Sequence, residues 1–101
     1  MTGISGKLKE DIRAVGEKYG VDKIVLFGSR ARDDNEERSD IDLAVFVPPK
    51  FTAKARIWFD LDDLETLLEI DAVIIDEDYD TDGNADFLRR INEEGTVIYG
   101  I

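Results

Sequence analysis

The stretch Leu26-Phe27-Gly28-Ser29, followed after ten residues by Asp40-Ile41-Asp42-Leu43, is the most informative part of this sequence. A β-rich run over residues 21–27 leads into the Gly-Ser pair, and a second apolar run covers residues 40–47 before two prolines end it. A glycine after a strand lets the backbone approach a ligand closely, and the free N–H groups of a following helix start bind phosphate oxygens. The stretch therefore predicts two strands joined through a candidate phosphate-binding turn, although the Gly-Ser pair alone is better explained as a strand-to-helix turn with a serine cap.

Two carboxylates stand at the start of the second predicted strand. Asp40 and Asp42 are two residues apart, so both side chains point to one face, with Cα atoms about 6.6 Å apart. Carboxylate oxygens are hard ligands that select Mg²⁺ or Mn²⁺. Asp71 opens a third apolar run, residues 71–75, and would complete a three-carboxylate cluster if the two strands are neighbours. Taken alone, the Asp40 and Asp42 pair is better explained as a solvated acidic strand end, and Asp71 is explained at least equally well as a strand-edge charge facing water.

Hydrophobic periodicity predicts three helices around these strands. The first helix carries one apolar stripe and ends at Gly20, and the last is closed by Gly95 before a short strand over residues 96–99. Thr52 is the expected N-cap of a long middle helix that reaches Glu69. The stripes consist of Leu8, Ile12, Val15 and Tyr19; of Ile57, Trp58, Leu61, Leu64 and Leu68; and of Phe87, Leu88 and Ile91.

The order helix–strand–strand–helix–strand–helix–strand favours one domain over residues 1–101, with a single sheet covered by helices. We expect Trp58 in the core, whereas Phe51 and Phe59 lie off the stripe and are expected in an exposed patch.

Composition narrows the classes of function. The chain has 101 residues, 24 acidic against 13 basic, a net charge of −11, no cysteine and no histidine. Disulfides, thiolate or imidazole metal sites and histidine-dependent triads are excluded. The negative charge repels phosphate backbones, so nucleic acid is not an expected partner. Apolar runs are too short to span a bilayer and the N-terminus lacks an apolar signal core, so we expect a cytoplasmic protein with no membrane partner.

The combination Gly28-Ser29, ten residues, Asp40-Ile41-Asp42 resembles the signature of the DNA polymerase beta-like nucleotidyltransferase superfamily. Residues 26–32 and 39–43 are similar to the minimal, MNT-type branch of that superfamily, as are residues 70–73 and 91–99. The resemblance implies an α+β fold with a small mixed sheet, the palm-like nucleotidyltransferase core. Asp33 stands where the family usually has glycine, which adds a negative charge to the loop.

The resemblance also implies roles for individual residues. Asp40, Asp42 and Asp71 would be catalytic and would hold Mg²⁺ or Mn²⁺, with Asp71 as a proton acceptor. Nucleotide binding would fall to Gly28, Ser29, Arg30 and Arg32, with the Gly-Ser pair on the β- and γ-phosphates of ATP and the two arginines neutralising charge.

Minimal members of the superfamily commonly pair with a helical HEPN-type protein. The resemblance therefore implies an antitoxin that transfers AMP from ATP to a tyrosine hydroxyl of such a toxin, within a hetero-oligomer. Two alternatives stay open at this point. The domain could neutralise a toxin stoichiometrically without catalysis, or it could transfer a nucleotide to a small molecule.

Overall fold

The computed structural model describes residues 6–28, 41–64, 69–79 and 81–100, which form three helices and four strands in the order that the sequence predicts. The elements are α1 Gly6–Tyr19, β1 Lys23–Phe27, β2 Ile41–Phe46, α2 Lys54–Asp62, β3 Ile70–Ile75, α3 Ala85–Glu94 and β4 Thr96–Gly100. Of the helices described, none is long and apolar enough to cross a membrane.

The four strands form one mixed sheet in the order β3-β2-β1-β4. β1 runs antiparallel to both of its neighbours, whereas β2 and β3 are parallel and are connected through α2. A parallel pair needs such a crossover connection because a tight hairpin can join only antiparallel strands. The expected α+β class with a small mixed sheet covered by helices is confirmed.

Alternation along β2 divides the core between the two faces of the sheet. Leu43 and Val45 point towards α1 and α2, where Ile12 and Ile57 are fully buried. Ala44 points to the other face, where it packs with Ile91 of α3. Each fully buried valine, leucine or isoleucine side chain stabilises the fold by roughly 1.5–3 kcal/mol. The fold is therefore held from both sides of a central strand that also carries Asp42.

The C-terminal end of α1 agrees with the sequence prediction, whereas both ends of α2 differ from it. Gly20 follows α1 with φ +66°, the left-handed conformation expected of a residue that terminates a helix. The expectation that Thr52 caps a long helix is wrong. The first helical acceptor is the Ala53 carbonyl, which binds the Ile57 N–H at 3.0 Å, so Thr52 lies one position too early to cap. The helix also ends at Asp62, before Glu69.

Two aromatic assignments are likewise wrong. Trp58 is 43% exposed, because it follows the buried Ile57 by one position and is rotated about 100° around the helix from it. Phe51 is partly buried and packs against the main core. The exposed position of Phe59 is confirmed, at 64%.

Candidate active site

Strand pairing brings the two described acidic residues of the predicted site side by side. Asp42 of β2 is the register partner of Asp71 at the start of the parallel strand β3. Register partners project to the same face, and neighbouring strands lie about 4.8 Å apart. Asp42 is half-buried and Asp71 is exposed. The condition that the sequence left open, that these two strands are neighbours, is met.

The turn after β1 contacts the same carboxylate. Phe27, the last residue of β1, pairs with Asp42 from the other side, and Gly28 follows it with φ +77°. A Cβ atom placed on Gly28 would lie 2.5 Å from Oδ2 of Asp42, well inside van der Waals contact. Glycine is therefore required twice, for its left-handed backbone and for the close approach. The turn that would bind phosphates begins directly against a carboxylate that would bind metal.

Asp42 and Asp71 form what we call the carboxylate row, and an aromatic pair borders it. The rings of Phe27 and Phe87 meet edge to face with centroids 5.2 Å apart and an interplanar angle of 85°. Both rings are partly buried against the smaller apolar cluster on this face, together with Val73 of β3. Sequence reasoning assigned Phe87 only to the helix stripe, and no local spacing relates it to Phe27, because their contact is made by the tertiary fold.

The structure brings together Gly28, Asp42 and Asp71 of the predicted site. The other predicted site residues, Ser29, Arg30, Arg32 and Asp40, lie outside the described residues.

The donor set fits a hard divalent cation. Two carboxylates directly opposite each other on adjacent strands repel, and a cation between them offsets that repulsion. Oxygen-only donors suit Mg²⁺ or Mn²⁺. Over residues 6–28, 41–64, 69–79 and 81–100, no group of three or more acidic, histidine or cysteine side chains is placed to hold a metal. Asp42 and Asp71 are the described members of the predicted donor set, and Asp40 would be the third.

A glycine turn against paired carboxylates on a mixed sheet is suited to transferring a phosphate-linked group, which needs charge neutralisation and positioning more than a nucleophilic side chain. The fold and site thus define a nucleotide-transferring class of protein. The family model described as "Polymerase beta, Nucleotidyltransferase" matches residues 10–101, and the chain belongs to this family. It is accordingly a nucleotidyltransferase, and members of this family generally use a divalent metal ion and a nucleoside triphosphate.

Two relatives illustrate the match. A Methanocaldococcus jannaschii protein described as a "putative protein adenylyltransferase" is 35% identical over 95 residues, which cover 91% of this chain and 94% of that protein. A crystal structure titled as that of a "putative nucleotidyltransferase" from Sulfolobus solfataricus superposes with a TM-score of 0.55 at 24% identity. The superposition covers 90% of this chain and 76% of the other, and it supports the shared fold.

Proposed function

We propose that this nucleotidyltransferase transfers AMP from ATP to a hydroxyl group of a protein, and that the acceptor is a tyrosine of a HEPN-type helical toxin for which this chain is the antitoxin. The proposal places the reaction in the cytoplasm and requires Mg²⁺ or Mn²⁺. One observation carries the nucleotidyl-transfer part of the proposal: Gly28 lies against the Asp42 carboxylate, and Asp42 lies beside Asp71.

Two further facts support a protein as the acceptor. The Methanocaldococcus jannaschii relative, which matches along most of its length, is described as acting on protein. The net charge of −11 disfavours a nucleic-acid acceptor, whose phosphates it repels. Neither fact selects tyrosine or the HEPN class, which rest on the resemblance of the motifs to MNT-type proteins.

The residues of the chain divide the work between binding and proton transfer. The Gly28 turn would hold the β- and γ-phosphates, with Ser29, Arg30 and Arg32 following it in sequence. Asp42 and Asp71, with Asp40, would hold the divalent ion. When bound, that ion neutralises charge on the triphosphate and orients it. Asp71 is exposed, so it can accept the proton of an incoming hydroxyl group.

The proposed reaction balances without any redox partner. The acceptor oxygen forms a bond to the α-phosphorus of ATP, and the bond from that phosphorus to the oxygen bridging to the β-phosphate breaks. Pyrophosphate leaves with the bonding electrons, and the acceptor hydroxyl proton passes to the Asp71 carboxylate. The product is a phosphodiester between AMP and the acceptor side chain.

The test uses the full chain, Mg²⁺, a HEPN-type protein and ATP labelled at either the α- or the γ-phosphate. Label from the α-phosphate should become covalently attached to the HEPN-type protein, and label from the γ-phosphate should not. Asp42→Asn and Asp71→Asn should each slow the transfer by at least about 100-fold, the usual loss when a group that stabilises transition-state charge is removed. EDTA should abolish labelling and added Mn²⁺ should restore it.

Asp78→Asn is the matched control, because Asp78 is an exposed aspartate in the loop after β3 and lies outside the carboxylate row. It should label the acceptor as fast as the unmodified chain. Thermal unfolding should show all three variants folded, since neither substitution in the row removes an apolar contact. A stable complex that never acquires α-label would refute adenylyl transfer and favour stoichiometric neutralisation. Undiminished labelling by Asp42→Asn would refute the site.

A further inference from the structure

Two neighbouring aromatic side chains project from α2 into solvent. Trp58 is 43% and Phe59 64% exposed, and their rings contact each other edge to face with centroids 5.5 Å apart. Within the described residues, Val97 of β4 is the one other large hydrophobic side chain that is exposed. Single exposed apolar residues are ordinary, but aromatic residues in contact are typical of protein interfaces.

The charges on α2 are arranged against the helix dipole. The helix has no acidic residue in its first turn and no basic residue in its last turn, which ends at Asp62 with Asp63 as the C-cap. Carboxylates at a C-terminus add to the negative end of the dipole and destabilise the helix. In the part of the chain that is described, neither Asp62 nor Asp63 has an ion-pair partner, whereas Asp60 is paired with Lys18 at 3.1 Å.

The aromatic pair and these carboxylates form one continuous surface. Asp62 lies four positions after Trp58 and three after Phe59, so it neighbours both rings on the helix. Asp63 lies four positions after Phe59. We name Trp58, Phe59, Asp62 and Asp63 the α2 surface: an apolar centre with two carboxylates on its C-terminal side, while the exposed Arg56 lies three positions before Phe59 on its N-terminal side. The negative charge at the C-terminal side complements a basic segment of a partner.

The α2 surface also lies towards the reacting end of the sheet. α2 returns the chain from the end of β2 to the start of the parallel strand β3, so its C-terminal end lies near the edge of the sheet where β3 begins. Asp71 is the second residue of β3. α2 packs on the sheet face opposite to Asp42 and Asp71, so a protein that covers the acidic end of α2 would reach the carboxylate row around the end of the sheet where β3 begins.

We propose that the α2 surface is the docking site for the acceptor protein, and that the acceptor contributes a segment with apolar side chains flanked by lysine or arginine. The proposal rests on the proposed function, because it takes the docked protein to be the one that receives AMP. The aromatic rings supply the buried contact area, and Asp62 and Asp63 select a basic segment over an acidic one.

Trp58 makes the test direct, because it is the only tryptophan in the chain. The probe is a synthetic amphipathic helical peptide with leucines on one face and lysines on its flanks, and the comparison peptide has glutamates in place of the lysines. The lysine peptide should shift Trp58 emission to shorter wavelength in a saturable way. Phe59→Ala should raise the Kd about tenfold, as expected for a truncated interface aromatic.

Charge and position are tested by two further variants. Asp62→Asn combined with Asp63→Asn should raise the Kd about fivefold and reduce its dependence on salt, because a rim charge contributes through screened attraction. Val97→Ala is the matched control on β4 and should leave the Kd unchanged. Equal binding of the two peptides, an unaltered Kd in the double variant, or no emission shift at all would each overturn the proposal. A concentration-dependent shift without peptide would overturn it too, since a second copy would then cover the surface.

The transfer assay separates this proposal from the proposed function. With the HEPN-type protein as acceptor, Phe59→Ala should raise the KM for that protein about tenfold and leave kcat unchanged, because α2 packs on the sheet face opposite to Asp42 and Asp71. An unchanged KM would overturn docking at α2 while leaving adenylyl transfer intact. Absence of label with the unmodified chain would instead refute the proposed function.

Discussion

Gly28→Ala is the substitution that most directly tests how the turn and the carboxylate are coupled. The backbone of Gly28 has φ +77°, where a residue with a Cβ atom loses about 1–2 kcal/mol. The added Cβ would meet Oδ2 of Asp42 at 2.5 Å, so the carboxylate must rotate away. A side chain forced off its preferred rotamer costs about 0.5–1.5 kcal/mol. We therefore expect the free energy of unfolding to fall by about 1.5–3.5 kcal/mol.

The same substitution should reduce adenylyl transfer by more than about tenfold, because it moves the carboxylate that would hold the metal. Gly20→Ala is the matched control. Gly20 has φ +66°, but a Cβ atom there would meet nothing within 4 Å. It should lose about 1–2 kcal/mol from backbone strain alone and should retain full transfer at temperatures where it is folded.

Urea unfolding and the α-label assay measure the two effects separately. If Gly28→Ala and Gly20→Ala were equally destabilised and both fully active, the contact with Asp42 would have no energetic or catalytic consequence, and the coupling would be refuted.

Two further predictions concern the helices. The Tyr19 hydroxyl donates a hydrogen bond of 2.6 Å to Asp60, which lowers the pKa of Asp60 below 3.8 and raises the pKa of Tyr19 above 10.0. Tyr19→Phe should therefore be less stable than the unmodified chain from about pH 5 to 9. The difference in stability should shrink as the pH falls through the lowered pKa of Asp60, and also as the pH rises through the raised pKa of Tyr19. Urea unfolding at a series of pH values measures it. Leu61→Ala should lower the free energy of unfolding by about 2–5 kcal/mol, because Leu61 is fully buried. Phe59→Ala should change that free energy by less than about 0.5 kcal/mol, because Phe59 is exposed. Equal losses of stability in the two variants would contradict the assignment of the buried face of α2.

Local patterns in the sequence were sufficient to predict the elements and their order. The sequence predicts that Gly20 ends α1, and its φ of +66° confirms the physical reason. The sequence predicts too long a middle helix because Leu64 continues the helical period. The helix ends at Asp62, and the Leu64 N–H binds the Leu61 carbonyl three residues back, at 3.3 Å, in a tighter turn than that of an α-helix. Apolar spacing reports which face is buried, and it does not report where the backbone leaves the helix.

The site was predictable in composition and only partly in geometry. The spacing of Gly28 and Asp42 identified both residues, and the structure places them in contact. That Asp71 is the direct register partner of Asp42 depends on long-range strand pairing, which no local pattern encodes. The proximity of Phe87 to Phe27 was missed for the same reason. Candidate catalytic residues can be identified from the sequence, whereas the residues that surround them are determined by the pairing of strands and the packing of helices.

The apolar face of the sheet determines whether the carboxylates can meet. Ile41 and Leu43 flank Asp42 on β2 and are both fully buried, and Ile70 precedes Asp71 on β3 in the same core cluster. Moving β3 by one residue relative to β2 would turn Ile70 to the outer face and Asp71 into the core, at the cost of burying a charge. The residues that stabilise the fold on the face covered by α1 and α2 thereby fix the register that aligns Asp42 and Asp71 on the opposite face, where α3 packs. The register therefore brings Asp42 and Asp71 side by side, and a divalent ion between the two carboxylates would offset their mutual repulsion.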